Sequence, residues 1–388
     1  MATRRVGVLT GGGDVPGLNV VIKAAVMRAL EHGVEVLGLR RGWMSLLNLD
    51  PDDDTSLDRW TWQLTAERVR TVTRTGGTIL HTSRANPSRV RASEVPTHVR
   101  ASDKRVKADG TCDCTPHVLR VLDWLDLESL IPIGGDDTLS FGNRLHQEGF
   151  PVVAVPKTMD NDVFGTDYCV GFSTAVTRSV DAITNFRTSV GSHERIGVVE
   201  LFGRDSGETS LYAAYLGDVD RAIISEVPFD IDRLCTFLVR DREKNPSNYA
   251  IMTISEGAHP QGGSILETGE SDAYGHKKLG GIGRVVAQEI RQRTGLNTMY
   301  ETLAYMMRSG PPDSLDRMVA VAFGTLATDE ITARHTGRMV SLQQGIYTTV
   351  PIDLVVAGRK QVDVPALYDS VAYRPKVHDM RGKPMFLY

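Results

Sequence analysis

The sequence predicts an α/β protein whose mostly parallel strands are covered by helices on both faces. Short β-branched and aliphatic runs alternate with stretches of helical periodicity, and glycine and acidic residues follow several of those runs. Continuous apolar strands are typical of parallel sheets that are buried on both faces, and such sheets bind ligands at the carboxyl ends of their strands. We therefore expect the chemically active residues at those ends.

The repeating unit can be followed along most of the chain. The predicted strands are Val6–Leu9, Leu130–Ile133, Val152–Val155, Ile196–Leu201 and Tyr249–Ile254. Helical patterns follow the first four strands and cover Asn19–Glu31, a stretch to about Glu148, about Thr174–Arg187 and a stretch to about Leu216. Less regular segments predict loops with short elements over Leu49–Pro116, a mobile polar loop over Gln261–Leu279 and strand-like stretches after Gln343.

Length and charge exclude several classes of protein. A chain of 388 residues is long enough for about two domains. A formal net charge of −4 supplies no general positive field for nucleic acid or an anionic membrane, so we expect neither as a partner. Four cysteines are too few for a disulfide scaffold, and neither a secretory leader nor an apolar run of membrane-spanning length is present. We expect a cytoplasmic enzyme or binding protein.

The first glycine-rich turn covers Gly11–Gly17, between a predicted strand and a predicted helix. Glycines at this position let backbone N–H groups approach a phosphate at a helix N-terminus, although a tight structural turn would have the same composition. Two common phosphate-binding patterns do not match, because Pro16 replaces a glycine of the dinucleotide pattern and Leu18 replaces the lysine of the Walker pattern. A nicotinamide oxidoreductase and a P-loop ATPase are therefore disfavoured.

Carboxylates follow the next two predicted strands. Asp136 and Asp137 come after two glycines, where one of them could cap a helix, but hard oxygen ligands in a turn also suit Mg²⁺ that bridges phosphates. Asp160 and Asp162 are spaced by two, which predicts that they share one side of an extended segment and that one of them accepts a proton. Nearby cations could offset these acids and a bound phosphate: Lys157, Arg84, Arg195 and Arg204.

These segments together resemble the phosphofructokinases that act on fructose 6-phosphate. The matching motifs, in order, are GGGDVPGLN, GGDDT, PKTMDND, SHERIGVVELFGRDSG, ISEGA and YMMRSGPPDSLDR, and the closing YRPKVHDMRGKPMFL is similar to the family's tail. The resemblance implies two Rossmann-like lobes, with a lobe for the donor phosphate and Mg²⁺ at 1–170 plus about 307–357. It implies a lobe for the sugar phosphate at about 171–306 plus 358–388.

The resemblance also implies roles for individual residues. Gly13 would lie against the phosphoryl donor, Asp136 would hold Mg²⁺, and Asp160 would take the proton from the sugar 1-hydroxyl. Thr158 and Asp162 would lie beside this base. The residues that would bind substrate, besides the base itself, are Thr158, Met159, Phe202, Gly203, Arg204, Glu256, Tyr305 and Arg308. Arg195 would reach the sugar phosphate of a neighbouring subunit, which makes the expected assembly a homodimer or homotetramer with an intersubunit site.

Two residues bear on the phosphoryl donor. Asp137 and Lys157 stand where the ATP-dependent branch of the family typically has glycines, and this pair is typical of the pyrophosphate-dependent branch. An aspartate at that position would fill the space of a nucleotide α-phosphate and repel it, and a lysine would offset the charge of pyrophosphate. A helix-capping aspartate and a solvent-exposed lysine are the alternatives.

Two further positions depart from the family pattern. Met299 stands where an arginine is frequent, and Tyr305 stands where a histidine is common. The sequence therefore leaves three activities open: a pyrophosphate-dependent kinase of fructose 6-phosphate, an ATP-dependent kinase of the same sugar, and a pyrophosphate-dependent kinase that prefers sedoheptulose 7-phosphate. A binding module without catalysis, or a kinase that shares only the GGD turn, would not explain the complete set of motifs.

Overall fold

The computed structural model describes residues 4–268 and 278–376. Its strands are β1 Arg5–Thr10, β2 Glu35–Leu39, β3 Thr61–Leu64, β4 Val90–Arg91, β5 Arg105–Val106, β6 Thr111–Asp113, β7 Ser129–Gly134, β8 Val153–Pro156, β9 Ile196–Leu201, β10 Arg221–Ile223, β11 Ala250–Ser255, β12 Glu267–Thr268, β13 Lys278–Leu279, β14 Thr298–Thr302, β15 Arg338–Gln343, β16 Ile346–Pro351, β17 Tyr368–Asp369 and β18 Arg374–Pro375.

Helices connect most of the longer strands. The α-helices are α1 Leu18–Glu31, α2 Trp43–Asn48, α3 Thr55–Trp60, α4 Ala66–Val69, α5 Thr115–Trp124, α6 Asp136–Gln147, α7 Phe172–Ser192, α8 Glu208–Leu216, α9 Ile231–Lys244, α10 Ile282–Thr294, α11 Ser314–Thr332 and α12 Val364–Leu367. Short 3₁₀ helices occupy Val72–Arg74, Ala92–Glu94, Ala101–Asp103, Ala304–Arg308 and Ile352–Val356. Among the helices of the described ranges, none combines the length and the apolar composition that crossing a membrane requires.

The larger sheet has the strand order β16-β15-β8-β7-β1-β2-β3. Its five inner strands run parallel, and β16 and β3 pair antiparallel to them at the two edges. Alternate residues of the inner strands pack in different hydrophobic cores. Val8 lies in the core that contains α1 and α11, whereas Leu9 lies in the core that contains α5 and α6. This sheet is therefore buried on both faces, as its continuous apolar strands predict.

The second sheet has the order β10-β11-β9-β14, and its strands are all parallel. Helices α7 and α8 pack together against β9, β10 and β11. Helices α9 and α10 form a second pair, which packs against β9, β11 and β14. The two parallel sheets share one continuous apolar cluster that includes α1, α7 and α11. The loops at the carboxyl ends of β1, β7 and β8 consequently meet the loops that follow β9 and β11.

The α/β class is confirmed, and the predicted strands agree with the observed ones to within one residue at each end. Helix α7 is longer than predicted, because it begins at Phe172 and continues to Ser192. Strands β2, β10, β14 and β15 were not predicted, since no distinctive glycine or acidic motif follows them. The irregular segment 49–116 does contain short elements, and strands follow Gln343. Part of the predicted mobile loop, 269–277, and the end of the tail, 377–388, lie outside the described residues.

Candidate active site

Loops from both parallel sheets surround two adjoining clefts. The first cleft, of about 220 Å³, is lined by Gly12, Gly13, Val15, Arg84, Gly135, Asp136, Asp137, Thr138, Lys157, Thr158, Met159, Asp160, Asp162, Phe202, Arg204, Asp205, Glu256, Arg308 and Arg359. The second cleft, of about 830 Å³, is lined by Gly12, Gly13, Asp14, Thr82, Ser83, Arg84, Glu200, Leu201, Phe202, Arg204, Glu256, Leu279, Gly280, Gly281, Tyr300, Thr302, Ala304, Tyr305 and Arg308. Most of the residues singled out in the sequence are thus brought together.

The turn after β1 places Gly13 between two cations. The ammonium of Lys157 donates a hydrogen bond to the Gly13 carbonyl oxygen at 2.6 Å. A Cβ atom on Gly13 would lie 2.4 Å from Nη1 of Arg308, so a side chain here would displace the guanidinium. The turn is fixed from its other side by Thr82, whose hydroxyl donates to the Gly12 carbonyl at 2.7 Å. Glycine therefore allows two cations to approach one stretch of backbone.

The turn after β7 carries two adjacent aspartates. Asp136 and Asp137 occupy the first turn of α6, and the N-cap is Gly135, so the helix-capping interpretation of these acids is wrong. Oδ1 of Asp136 is buried and, within the described part of the chain, accepts no hydrogen bond. Burial, followed by the charge of Asp162, raises the pKa of Asp136 to about 8. A buried carboxylate oxygen with no donor is a suitable ligand for a hard cation.

A preformed metal cage is not seen. Among the residues that the structure describes, no group of three or more His, Cys, Asp or Glu side chains is arranged to hold a metal ion. Mg²⁺ bound with substrate phosphates needs only one or two protein carboxylates, because phosphate and water oxygens complete its coordination. The single orphaned oxygen of Asp136 fits that kind of site better than it fits a structural metal centre.

The loop after β8 is a turn and not the extended segment that the spacing of Asp160 and Asp162 predicts. Asn161, between the two aspartates, adopts a left-handed conformation with φ of 54°, which a residue of an extended segment does not have. Its amide donates to the Asp167 carbonyl at 3.0 Å and to Glu208 at 3.1 Å, and its oxygen accepts from the Cys169 N–H. Both aspartates still line the first cleft. Tertiary partners of Asn161 outweigh the extended preference that the sequence pattern suggests.

The environment of Asp160 is acidic and enclosed. Burial, followed by the charges of Asp162 and Glu256, raises the pKa of Asp160 well above its usual range, and Arg204 and Arg308 oppose the rise. Oδ1 of Asp160 is buried and accepts no hydrogen bond from a described residue. In its ionised form this carboxylate can accept a proton from a bound ligand, and the charges of the two arginines favour that form.

Lys157 is buried, with 3% of its surface exposed, so the solvent-exposed interpretation of this lysine is wrong. Burial, followed by the charge of Arg308, lowers the pKa of Lys157 to about 8, while Asp14 and Asp162 oppose that change. The side chain crosses from the end of β8 to the glycine turn after β1. The lysine is thus a fixed cation within the first cleft.

The second sheet supplies residues on the other side of the clefts. Phe202 and Arg204 follow β9, and Glu256 follows β11. The guanidinium of Arg308 lies 4.6 Å from the Tyr305 ring centroid and 5.6 Å from that of Phe202, with Nε 3.6 Å from an oxygen of Asp14. Arg308 is therefore held between aromatic rings at the junction of the two clefts.

Three residues singled out in the sequence do not line either cleft. Gly203 forms a turn with φ of 136°, where a Cβ atom would lie 2.6 Å from the Ser206 carbonyl oxygen. Arg195 precedes β9, at the opposite end of that strand from Phe202, and it is partly buried. Met299 lies on β14 and packs against the apolar core. The predicted role of Arg195 in a neighbouring subunit concerns a second chain, and it stays a prediction.

Sequence reasoning missed several lining residues. The sequence predicts Arg84 only as a nearby cation, whereas in the structure it lines both clefts. Glu200 is buried and accepts hydrogen bonds from the N–H groups of Gly281 and Gly283 at the start of α10. Asp205 lies within a recognised motif and could have been found there. Arg359 follows the 3₁₀ helix Ile352–Val356, in a segment without a recognisable signal.

Comparisons with known proteins agree with this architecture. The family model described as "PFK: Phosphofructokinase" matches residues 5–331. Pyrophosphate--fructose 6-phosphate 1-phosphotransferase from Dictyoglomus thermophilum is 37% identical over 96% of this chain and 98% of its own length. ATP-dependent 6-phosphofructokinase 3 from Streptomyces coelicolor is 36% identical over 87% of this chain and 91% of its own.

Structural similarity extends over nearly the whole chain. The crystal structure of pyrophosphate-dependent phosphofructokinase from Nitrosospira multiformis superimposes with a TM-score of 0.76 at 16% identity, covering 96% of this chain and 89% of that one. At this identity the likeness shows the fold alone. Together with the family match and the relatives that exceed 35% identity over most of the sequence, it leads to one assignment. The chain belongs to the phosphofructokinase family.

Proposed function

We propose that this protein transfers a phosphoryl group reversibly from pyrophosphate to the 1-hydroxyl of fructose 6-phosphate, giving fructose 1,6-bisphosphate and phosphate. The observation that carries the choice of donor is the presence of both Asp137 and Lys157 in the lining of the first cleft, beside Gly13. Relatives named for pyrophosphate and for ATP are both similar to this chain, so the donor is proposed from these two residues.

The two residues act on different parts of a donor. Lys157 is fixed by its hydrogen bond to the Gly13 carbonyl, and a compact ammonium at this point offsets charge on a pyrophosphate oxygen. The Asp137 carboxylate would occupy and repel the α-phosphate of a nucleotide that entered the same cleft. Pyrophosphate ends before that region, so it avoids the repulsion.

Asp160 is the proposed general base. Its carboxylate accepts the proton of the sugar 1-hydroxyl as the oxygen bonds to the transferred phosphorus. Arg204 and Arg308 oppose the rise in the pKa of Asp160, and both line the same cleft. These guanidiniums are also suited to bind the equatorial oxygens of the phosphoryl group during transfer. Thr158 and Met159 border the position of the reacting hydroxyl.

Asp136 is the proposed ligand of Mg²⁺, because its buried Oδ1 has no hydrogen-bond donor among the described residues. When bound, Mg²⁺ neutralises charge on the donor phosphates. The protein itself holds the Asp136 carboxylate in the first turn of α6, in the same cleft as Gly12 and Gly13. Asp162 lies close enough to raise the pKa of Asp136, and it would share the charge of the cation.

The second cleft is the proposed sugar-phosphate site. Glu256 borders both clefts and can accept hydrogen bonds from sugar hydroxyls, while Arg308 and Tyr305 face the larger space beyond it. A heptulose phosphate is the second candidate acceptor. Among the described residues, the lining of the cleft of about 830 Å³ includes Gly280 and Gly281, which have no side chains, and does not include Met299. Comparing kcat/KM for the two sugar phosphates separates these acceptors.

An intersubunit site is proposed for the sugar phosphate, with Arg195 reaching a neighbouring chain. Arg195 lies away from this chain's own clefts, so its contribution requires a second copy. Mixing inactive Arg195→Ala and Asp160→Asn variants under conditions of subunit exchange should restore activity to about a quarter of the wild-type level, since half of the dimers are hybrids with one intact site. Exchange without recovery would show that each subunit is self-sufficient.

The lobes are also proposed, with boundaries at 1–170 plus about 307–357 and at about 171–306 plus 358–388. The strands of the larger sheet fall within the first set of residues, and those of the four-stranded sheet fall within the second. The donor residues Gly13, Asp136 and Lys157 belong to the first lobe. The acceptor residues Arg204 and Glu256 belong to the second.

The decisive experiment is an assay with a single phosphoryl donor. Purified protein is supplied with fructose 6-phosphate, Mg²⁺ and either pyrophosphate or ATP, and fructose 1,6-bisphosphate is measured. We expect product with pyrophosphate and a far lower kcat/KM with ATP, together with phosphate-dependent consumption of fructose 1,6-bisphosphate in reverse. A preference for ATP would reject the donor assignment but leave the family assignment intact.

A further inference from the structure

Arg359 is a cation that the proposed mechanism does not use. It lines the first cleft, yet it lies more than 150 residues after Asp205 in the sequence, outside every motif considered above. Its guanidinium forms an ion pair with the Asp205 carboxylate. The side chains of the pair are 49% and 29% exposed, respectively, so the contact is open to solvent and can be exchanged for another anion.

The chain directly after Arg359 is held by hydrogen bonds from two residues, Lys360 and Val362. The N–H of Lys360 donates to the Asp162 carbonyl at 3.0 Å, and the Lys360 ammonium donates to Glu208 at 3.1 Å. Two residues later, the N–H of Val362 donates to Glu226 at 2.9 Å. The chain segment is therefore fixed beside the loop after β8, while the Arg359 guanidinium remains at the solvent boundary of the cleft.

Three of the arginines that line the first cleft interact with different carboxylates. Arg204 and Arg308 act on Asp160, where the proposed transfer occurs. Arg359 acts on Asp136 and Asp162, where it opposes the pKa rise caused chiefly by burial. Arg359 pairs with Asp205, and the next residue is hydrogen-bonded to the loop that carries Asp160 and Asp162. A donor with its transferred phosphoryl beside Asp160 and its remaining phosphate beside Asp136 would therefore bring that second phosphate to Arg359 within the same cleft.

We propose that Arg359 binds the distal phosphate of pyrophosphate, exchanging its ion pair with Asp205 for a phosphate oxygen. In the transfer step the sugar oxygen bonds to the proximal phosphorus, and the bond from that phosphorus to the bridging oxygen breaks. The bridging oxygen leaves with the distal phosphate as orthophosphate, while the hydroxyl proton passes to Asp160. Arg359 thus stabilises the group that leaves, and in the reverse direction it binds the attacking phosphate.

This inference rests on the proposed function, and its experiment compares two substitutions that have opposite expected effects. Arg359→Gln removes the cation, so KM should rise about ten- to a hundredfold for pyrophosphate and for phosphate in reverse, with the KM of fructose 6-phosphate unchanged. Asp205→Asn removes the competing anion, so the KM of pyrophosphate should stay level or fall. Arg293→Gln is the matched control, because Arg293 is 39% exposed, pairs with Asp232 and lines neither cleft.

A binding measurement gives a readout that does not depend on turnover. Calorimetry can follow the binding of methylenediphosphonate, an analogue of pyrophosphate, in the presence of Mg²⁺. The Kd of Arg359→Gln should be raised about ten- to a hundredfold, and the Kd of Arg359→Lys should lie between that of Arg359→Gln and that of the wild type. An unchanged Kd in Arg359→Gln, or an equal rise in KM for Arg359→Gln and Asp205→Asn, would overturn the inference even if the wild type uses pyrophosphate. A wild type active with ATP alone would overturn the proposed function as well.

Discussion

The turn after β7 and the loop after β8 both bring aspartates into the first cleft, but they are held by different forces. The first is the beginning of a regular helix: Asp136 and Asp137 lie in the opening turn of α6, after the fully buried strand β7. The second has no regular structure, and its shape depends on the buried Asn161 and on Glu208 from another part of the chain. Local sequence determines the first segment, whereas tertiary hydrogen bonds determine the second.

This difference matters for chemistry. A helix start tolerates substitution of its exposed or ligand-facing side chains, because the backbone hydrogen bonds of the helix persist. A loop that depends on one side chain can lose its geometry when that side chain is changed, even if the residue itself touches no ligand. Substituting Asp137 after β7 should therefore alter which donor binds, and substituting Asp160 or Asn161 after β8 should alter the rate of transfer.

The largest effect is expected for the proposed base. Asp160→Asn keeps the size of the side chain but removes its basicity, so kcat should fall by about 10²–10⁴-fold while thermal unfolding is little changed. Steady-state kinetics and a melting curve test this, with the exposed Asp123→Asn on α5 as the control. A kcat close to that of the wild type would remove Asp160 from the role of base.

The next effect concerns the two residues that are proposed to select the donor, Asp137 in the turn after β7 and Lys157 directly after β8. Asp137→Gly should relieve the repulsion of an α-phosphate and shift the ratio of kcat/KM for ATP to that for pyrophosphate by about ten- to a hundredfold toward ATP. Lys157→Gly in the same assay should weaken pyrophosphate use. If the donor ratio of Asp137→Gly equals that of the wild type, Asp137 does not select the donor.

A smaller effect on rate and an effect on stability are expected at Asn161. Asn161→Ala removes hydrogen bonds to Asp167, Cys169 and Glu208, so unfolding should become easier by about 1–3 kcal/mol and kcat should fall about tenfold. Asn161→Gly keeps the left-handed backbone accessible and isolates the hydrogen-bond contribution. Asn48→Ala, which loses only a bond to Met44 within its own helix, is the control. Wild-type kcat in both Asn161 variants would argue that the loop keeps its shape without this side chain.

The smallest effect is a dependence on pH. The pKa of Lys157 is lowered to about 8, so the ammonium is charged below this pH and becomes neutral above it. An anion binds more tightly to the charged form, and the KM of pyrophosphate should therefore rise as pH increases through about 8, by at most about tenfold per pH unit. Lys157→Arg stays charged over this range, so its profile should lack the rise that belongs to the lysine. Superimposable profiles would show that other groups, such as pyrophosphate itself, cause the change.

The difference between segments determined by local sequence and segments determined by tertiary hydrogen bonds also explains what could be predicted from the sequence. Apolar strands followed by glycine and acidic residues are local patterns, and they predicted five strands, β1, β7, β8, β9 and β11, and the positions of Gly13, Asp136, Lys157 and Asp160 in one cleft. The shape of the loop after β8 was predicted wrongly, because the partners of Asn161 are 6 to 47 residues away.

Arg359 could not be predicted for a related reason. Its place in the cleft depends on contacts of the neighbouring Lys360 with Asp162, Asp167 and Glu208, which are formed only when distant segments have packed together. A lone arginine after a short 3₁₀ helix has no local signal that separates it from a surface residue. Long-range contacts, and not composition, make it part of the candidate site.

The strand order of the larger sheet has a consequence for how the chain folds during its synthesis. Strands β15 and β16 pair beside β8, although the strands of the four-stranded sheet are all translated between them and β8. A ribosome that has just released β14 therefore carries a nascent chain whose smaller sheet has all of its strands, while the outer edge of β8 still has no neighbour. An unpaired parallel edge is a template for association with other chains. Premature termination before residue 338 should consequently produce aggregation-prone fragments, and folding of the larger sheet is completed only late in translation.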